Sequence, residues 1–258
     1  MVKAQVNMIS EPFAIGDSMI HHLDPRIRVG LTVLYSFVVA LAYQFPVLIG
    51  ALILSSILIG ISRVRIKEVL SRMVIVNALI LLIWLVLPVT FDGEILTRIG
   101  PFAVYLPGVI LAAQITLKSN AILLAFIALI ATMSLATLGH TLHRLRVPAK
   151  IVYLLLMAYR YIYVIEQEYL RLLRAAKIRG FQVGTNVNTY RTFSYVIGML
   201  LVRAALRAER VHQAMLCRGF NGKFYSLQEF QLSRQSWIFS IMMLTCIVGL
   251  TIMEWALS

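Results

Sequence analysis

The sequence predicts an all-α integral membrane protein with about five transmembrane helices and two long amphipathic helices on the cytoplasmic side. Three observations lead to this fold class. Of 258 residues, 60% are hydrophobic and only 14% are charged. The apolar residues come in long runs, as membrane spans do. The net charge of +13 is concentrated in the segments between these runs.

Five apolar stretches approach the roughly 20 residues that a spanning helix needs. They are residues 29–43, 47–61, 74–89, 108–138 and 237–257. The first two are short and are separated by Gln44, Phe45 and Pro46, which predicts a tight helical hairpin. The stretch 108–138 is too long for one upright span, so it is either one tilted helix or a half-span followed by a span.

The distribution of Lys and Arg predicts the orientation, because positive loops stay in the cytoplasm. Of the 24 basic residues, 3 lie in residues 1–28, 4 in residues 62–73 and 15 in residues 139–234. These three segments are therefore expected to be cytoplasmic. The loop 91–107 and the C-terminus are expected outside, and the polar start of the chain predicts no cleaved signal peptide.

This pattern divides the chain into four regions. Residues 1–28 form a cytoplasmic N-terminal segment, and residues 29–138 form the first four membrane helices. Residues 139–234 form a cytoplasmic region, and residues 235–258 form the last membrane helix. The protein is therefore expected in the cell (inner) membrane as a multi-pass protein with a cytoplasmic N-terminus.

Two amphipathic helices are predicted in the cytoplasmic region. The first begins near Pro148. Its apolar side holds Ile162, Ile165, Tyr169, Leu172, Leu173 and Ala176, and its polar side holds Arg160, Gln167, Arg171 and Arg174. The second runs from about Thr192 to Arg218. It places Arg203, Arg207 and Arg210 on one stripe, opposite Leu201, Ala205, Ala208, Val211 and Met215.

Both helices end in the same pattern, Ala-x-x-x-Arg-Gly-Phe, as AAKIRGF at 175–181 and AMLCRGF at 214–220. The simplest explanation is a C-cap, in which a glycine ends the helix and a basic residue occupies its last turn. The repetition favours a second role, since each helix tip presents a small residue beside a cation. Two such tips predict two equivalent acidic receptors, contacted by Ala175, Arg179, Gly180, Ala214, Arg218 and Gly219.

The sequence contains no motif for ATP binding or catalysis. Gly222-Lys223 is followed by Phe224 and has no upstream phosphate-binding loop. Asp92 and Glu94 are expected outside, and Glu254 stands alone, so no acid–base constellation is evident. These observations predict a non-catalytic protein without a cofactor. A nucleic-acid role is not expected either, because the positive-inside rule accounts for most of the basicity.

A self-contained channel or secondary carrier is the alternative function. Such a protein uses paired charges inside the membrane, and Lys118 is the single candidate. Since Ser119 and Asn120 follow it, Lys118 is equally well placed at a helix boundary. The histidines His21, His22, His140, His143 and His212 lie near the cytoplasmic boundary without accompanying carboxylates or cysteines, so no metal site is predicted.

Several motifs together resemble the transmembrane coupling subunit, or T component, of energy-coupling factor (ECF) transporters, closest to the CbiQ type of cobalt and nickel importers. They are HLDPRxR at His22 to Arg28, Val147-Pro148, Arg160-Tyr161 with Glu166, Ala214-Met215 and the paired Arg-Gly. The family consensus Ala-Arg-Gly is replaced by Ile178-Arg179-Gly180 and Cys217-Arg218-Gly219, a departure that retains the arginine.

The resemblance implies a function that the residues alone do not. In that family two cytoplasmic coupling helices insert their arginine-bearing tips into two ABC-type ATPases. A separate CbiM-like membrane protein, with a small accessory membrane protein in some systems, captures the substrate. The implied contacts here are Arg179 and Arg218. Cobalt is the first expected cargo, with nickel and a vitamin left open.

Overall fold

The computed structural model describes residues 23–62, 64–90, 95–99, 102–145, 147–221 and 234–257. Its elements in chain order are α1 (Pro25–Leu41), α2 (Phe45–Ser62), α3 (Ile66–Thr90), β1 (Ile95–Ile99), β2 (Phe102–Tyr105), α4 (Leu106–Leu129), α5 (Leu135–Arg144), α6 (Ala149–Ile178), α7 (Val187–Cys217) and α8 (Arg234–Leu257). These helices confirm the predicted all-α membrane class. The short antiparallel hairpin β1–β2, which the sequence did not predict, occupies the expected outer loop.

Among the described residues, four helices are long and apolar enough to cross a membrane: α2, α3, α4 and α8. Helix α1 has 17 residues and is therefore about 26 Å long, slightly less than the roughly 30 Å of a bilayer core. Its first turn contains Arg26 and Arg28, which shortens its apolar part further. The first predicted span, residues 29–43, is thus present as a shorter helix, joined to α2 by the tight turn 42–44.

The stretch 108–138 forms one continuous span, α4, followed by a turn and the short helix α5. Of the two alternatives for Lys118, the helix boundary is wrong, since residues 118–120 lie in the middle of α4. The helix continues because neighbouring helices satisfy its polar side chains. The Asn120 side-chain amide donates to the side-chain oxygen of Asn77 on α3, at 3.1 Å, and to the carbonyl of Thr116, at 3.0 Å. The basic loop predicted at residues 62–73 is shorter than expected, because α3 begins at Ile66 and takes up most of these residues.

The chain divides into two compact units. The described part of one comprises residues 23–141 and 234–257, and that of the other comprises residues 142–221. In the first, α4 packs against α1, α2 and α3, and α8 packs against α1 and α2. The helices approach closely where small residues meet, as membrane helices commonly do. Ala51, Ala121, Ala125 and Ala128 are fully buried in this core.

The Asp24-Pro25-Arg26 segment starts the first helix and also ties helices together. The Asp24 carboxylate accepts a hydrogen bond from the backbone amide of Arg26 at 2.9 Å, which caps α1. The backbone amide of Asp24 donates to the hydroxyl of Ser236 on α8 at 3.0 Å. Asp24 therefore caps α1 and also links the start of α1 to the start of α8.

Charged side chains also hold the turn between α1 and α2. The ammonium of Lys118 donates to the carbonyl of Ala40 at 2.9 Å and lies 4.4 Å from the ring centroid of Tyr43. The carboxylate of Glu254 on α8 accepts from the backbone amides of Tyr43 at 2.7 Å and Gln44 at 3.3 Å. The cation therefore meets the C-terminus of α1, and the anion meets the N-terminus of α2. The partners of Glu254 in these two bonds are backbone amides, which the sequence did not predict.

Candidate coupling surface on helices α6 and α7

Helices α6 and α7 have 30 and 31 residues and carry the duplicated motif at their C-terminal ends. Pro148, predicted in the first turn of α6, is its N-cap. Helix α7 begins at Val187, five residues before the predicted Thr192. The earlier start is supported by Thr189, which is buried and whose hydroxyl accepts from the backbone amide of Gly184 at 3.3 Å.

The C-terminus of α6 is a Schellman cap. The backbone amide of Phe181 donates to the carbonyl of Ala176 at 3.1 Å, and that of Gly180 donates to Lys177 at 3.0 Å. Gly180 has a φ of 85°, which a residue with a side chain adopts only at a cost of about 1–2 kcal/mol. The glycine is thus required by the helix end.

The C-terminus of α7 repeats this arrangement. The amide of Phe220 donates to Met215 at 3.1 Å, that of Gly219 donates to Leu216 at 3.0 Å, and Gly219 has a φ of 78°. Both predicted glycine-ended helices are confirmed. Only the backbone of the arginine takes part in the cap, so the cap does not explain why that residue is arginine in both copies.

The two arginine side chains are exposed, and neither makes a hydrogen bond or ion pair among the described residues. Ala175 and Ala214, one turn earlier on the same face, are exposed as well. Each helix end therefore presents a guanidinium beside the small side chain of an alanine. All five N–H donors of each arginine side chain are available for hydrogen bonds.

The two tips lie at opposite ends of α7. Arg179 lines a cavity with Asn186, the N-cap of α7, whereas Arg218 is the C-cap of the same helix. A helix of 31 residues is about 46 Å long. The structure thus brings Ala175, Arg179 and Gly180 together at one end, and Ala214, Arg218 and Gly219 at the other. One small receptor cannot contact both.

Between the two tips, a buried carboxylate joins α6 to α7. Glu168 on α6 is 8% exposed. It accepts a hydrogen bond from Arg203 on α7, lies 4.0 Å from Arg207, also on α7, and lies 3.5 Å from Arg171 on its own helix. Glu168 was not predicted from the sequence. Its sequence signal was that Glu168 is an acid one helical turn before Arg171, in a region where arginines dominate.

Arg203 and Arg207 were assigned to a stripe opposite the apolar face of α7, and the structure turns this stripe toward α6. Leu201, from the predicted apolar face, is 68% exposed instead. Periodicity identifies two faces of a helix but does not say which of them meets the neighbouring helix. Here the arginine stripe of α7 faces α6, because the buried carboxylate of Glu168 on α6 requires cations next to it.

The hydrogen bond from Arg203 is the main cause that lowers the pKa of Glu168, and the charges of Arg203, Arg171 and Arg207 lower it further. The carboxylate therefore stays ionised down to a pH below its ordinary pKa of about 4.3. Because the pKa is lowered, the ion pairs stabilise the α6–α7 contact above that pH. Their contribution is lost as the pH falls through the lowered pKa.

Two cavities border this contact. The first, of about 210 Å³, is lined by apolar side chains together with Glu168, Arg203 and Arg207. The second, of about 590 Å³, lies between the end of α6 and the first turns of α7, and Arg179 is part of its wall. The α6–α7 pair is consequently loosely packed on both sides of the buried carboxylate.

The histidines do not converge among the described residues. His140 and His143 lie on α5, and the ring of His143 is 6.1 Å from that of Tyr153. His212 is exposed on α7, and His21 and His22 lie outside the described residues. Within the described part of the chain, no three His, Cys, Asp or Glu side chains are close enough to hold a metal ion.

Comparisons with known proteins agree with this architecture. The family model of CbiQ, described as a cobalt transport protein, matches residues 16–229. The energy-coupling factor transporter transmembrane protein EcfT of Brevibacillus brevis is 27% identical over 230 residues, which cover 84% of this chain and 86% of the relative. EcfT of Bacillus subtilis is 25% identical over 236 residues, with the same coverages.

The cobalt transport protein CbiQ of Rhodobacter capsulatus is 29% identical over 144 residues, or 54% of this chain and 59% of the relative. The family match covers most of the chain and includes both arginine-bearing helix ends. Together with the apolar spanning helices, it confirms the resemblance found in the sequence. The chain belongs to the CbiQ family, the multi-pass transmembrane T components of energy-coupling factor transporters.

Proposed function

We propose that this chain is the coupling subunit of an ATP-driven importer and transmits ATPase motions to a separate substrate-binding membrane protein. One observation supports the proposal above all others. Two long helices end in identical caps, each with an exposed arginine whose side chain the cap does not need. The tips are about 46 Å apart along α7, a spacing that suits two ATPase subunits, each receiving one guanidinium in an acidic groove.

The orientation is part of this proposal. The tips must face the compartment that holds ATP, so residues 142–221 and the N-terminus are cytoplasmic. The concentration of basic residues in 139–234 supports this assignment. The four regions predicted from the sequence are consistent with this orientation. Along the chain, the cytoplasmic coupling region stands between the first four membrane helices and the last one.

Cobalt is the proposed cargo, since the family description and one relative are named for cobalt transport. Other relatives carry the general name of ECF transmembrane proteins, which leaves the cargo to be measured. Substrate capture is assigned to a second, CbiM-like membrane protein. The carrier alternative gains no support, because Lys118 and Glu254 are bonded to the backbone of the α1–α2 turn.

Recovery of the ATPases with the purified subunit tests the proposal. The double variant Arg179→Glu/Arg218→Glu is expected to insert in the membrane but to recover no ATPase. Inverting one member of a buried charge pair typically costs about 2–5 kcal/mol. Arg174→Glu/Arg191→Glu is the matched control, because both arginines are exposed on α6 and α7 and the change in charge is identical. Normal ATPase recovery with Arg179→Glu/Arg218→Glu would contradict the proposal.

The native thiol beside the second tip provides an independent readout. Cys217 precedes Arg218 and is exposed, whereas Cys246 lies within α8. A short thiol-to-amine crosslinker on Cys217 is expected to link this chain to an ATPase in the assembled complex. The link should disappear in the variant Arg218→Glu and persist in Arg191→Glu.

A further inference from the structure

The α6–α7 contact contains one buried anion and a row of similar cations. Arg203, Arg207 and Arg210 follow one another on α7 at intervals of about one helical turn. Glu168 is bonded to Arg203 and already lies 4.0 Å from Arg207. Arg210 is exposed and donates to the carbonyl of Leu206 on its own helix at 3.2 Å. A second cation is thus in position to replace the first.

The apolar surface of α7 repeats with the same spacing. Ala204 and Ala208 both line the 210 Å³ cavity beside Glu168. Moving α7 by one turn toward its N-terminus, about 5.4 Å, would bring Arg207 to the place of Arg203. The same movement would bring Ala208 to the place of Ala204. The polar pair and the adjoining apolar contact would therefore re-form together.

The carboxylate would not lose its partners during such a movement. Arg171 lies on the same helix as Glu168, 3.5 Å away, and moves with it. Arg207 is near enough to take over as Arg203 leaves. This matters because an unpaired buried carboxylate is strongly unfavourable. Two apolar lining positions would change, because Ala204 would replace Leu200 and His212 would replace Ala208. Burial of Leu200 and the small side chain of Ala208 both favour the arrangement described here.

Space for the movement exists at the start of α7. The 590 Å³ cavity separates the end of α6 from the first turns of α7. Residues 181–186, which connect the helices, contain no helix or strand and are mostly exposed. The movement would break two contacts of this segment with α7, the bond from the Gly184 amide to Thr189 and the contact between the rings of Phe181 and Phe193, 5.8 Å apart.

We propose that the α6–α7 crossing is a joint with two registers, in which Glu168 exchanges Arg203 for Arg207 as α7 moves by one helical turn along α6. Packed helices favour discrete arrangements over continuous deformation, and one-turn shifts between helices are a known form of switching. In an importer this joint would change the position of the Arg218 tip relative to the Arg179 tip. That use rests on the proposed function, whereas the joint itself does not.

Distances between spin labels in the full-length chain, reconstituted in lipid nanodiscs, test the joint. The parent chain carries Cys217→Ser and Cys246→Ser. Labels are attached through Tyr163→Cys on α6, combined with Ser194→Cys or Gln213→Cys on α7, all at exposed positions. Along α7 the two labels lie on opposite sides of the contact with α6. A shift of α7 therefore shortens one distance and lengthens the other.

Removing the first cation should move the joint to its second register. Arg203→Gln is expected to shorten the 163–213 distance and lengthen the 163–194 distance, each by up to about 5 Å. Arg207→Gln and the control Arg174→Gln should both keep the parental distances. Parental distances in Arg203→Gln would overturn the joint, as would broadening of both distances without opposite shifts. Since no ATPase is present, a failure here leaves the proposed function standing, and lost ATPase binding leaves the joint standing.

Discussion

The Nε of Arg28, in the first turn of α1, donates a hydrogen bond of 2.9 Å to the carbonyl of Leu129, the last residue of α4. The same guanidinium bonds to the hydroxyl of Thr132 in the turn that follows. Arg28 is 2% exposed. It thus places a cation at the C-terminal end of a 24-residue helix, where the helix dipole favours positive charge.

Replacing Arg28 should therefore destabilise the membrane unit. Arg28→Met keeps much of the side-chain volume but leaves the Leu129 carbonyl and the Thr132 hydroxyl without this donor. A hydrogen bond to a charged group is worth about 1.5–3 kcal/mol. A lower midpoint of thermal unfolding in detergent is expected. Arg65→Gln, in which an exposed side chain loses one ion pair with the partly buried Glu68, should lower the midpoint less, and equal midpoints for the two variants would contradict this role.

A second prediction concerns the close approach of α4 to α3. A Cβ on Gly108 would lie 2.7 Å from the carbonyl oxygen of Leu87 and 2.8 Å from the Cα of Pro88. Both contacts are with backbone, so no side-chain rotation relieves them. Gly108→Ala is expected to cost about 1–3 kcal/mol of stability, as overpacking does.

Gly30→Ala is the matched control, because a Cβ at Gly30, within α1, meets no atom within 4 Å. Thermal unfolding of both variants in the same detergent checks the expectation. A midpoint for Gly108→Ala at or above that of Gly30→Ala would show that the backbones do not approach so closely.

The third prediction separates the two roles of each Arg-Gly pair. Gly180→Ala and Gly219→Ala should each loosen a helix end, since a left-handed backbone costs a residue with a side chain about 1–2 kcal/mol. Arg179→Ala and Arg218→Ala should leave the helix ends intact, because only a dipole contribution of about 0.3–1 kcal/mol is lost.

Amide hydrogen exchange at the last turns of α6 and α7 measures this difference, and ATPase recovery is measured alongside. The glycine variants are expected to exchange faster. The arginine variants are expected to exchange at the parental rate while recovering less ATPase. Faster exchange in Arg179→Ala would mean that the arginine serves the cap.

The fourth prediction concerns orientation. In a chain carrying Cys217→Ser and Cys246→Ser, Asp92→Cys should react with a membrane-impermeant thiol reagent added to intact cells. Asn221→Cys, beyond the second tip, should react only after the cells are opened. Labelling of Asn221→Cys from outside would reverse the proposed topology.

The helices of this protein were largely predictable from local sequence. Apolar runs of sufficient length predicted the spanning helices, and Gly180 and Gly219 predicted where α6 and α7 end, because both signals depend on neighbouring residues. The exposed tips could be located by repetition alone, since a duplicated motif is visible without any tertiary contact. The hairpin β1–β2 was not predicted, because its short strands show no alternation of polar and apolar residues that distinguishes them from the apolar residues around them.

Tertiary structure decided which polar residues have partners. Arg28 meets Leu129 across about a hundred residues of sequence, Glu254 reaches the turn at Tyr43, and Glu168 selects the arginine face of α7. None of these pairs has a spacing that sequence periodicity records. The sequence by itself thus determined the spans, the helix ends and the two exposed arginines. The folded chain decided where each buried charge is neutralised, because that depends on which helices come to lie side by side.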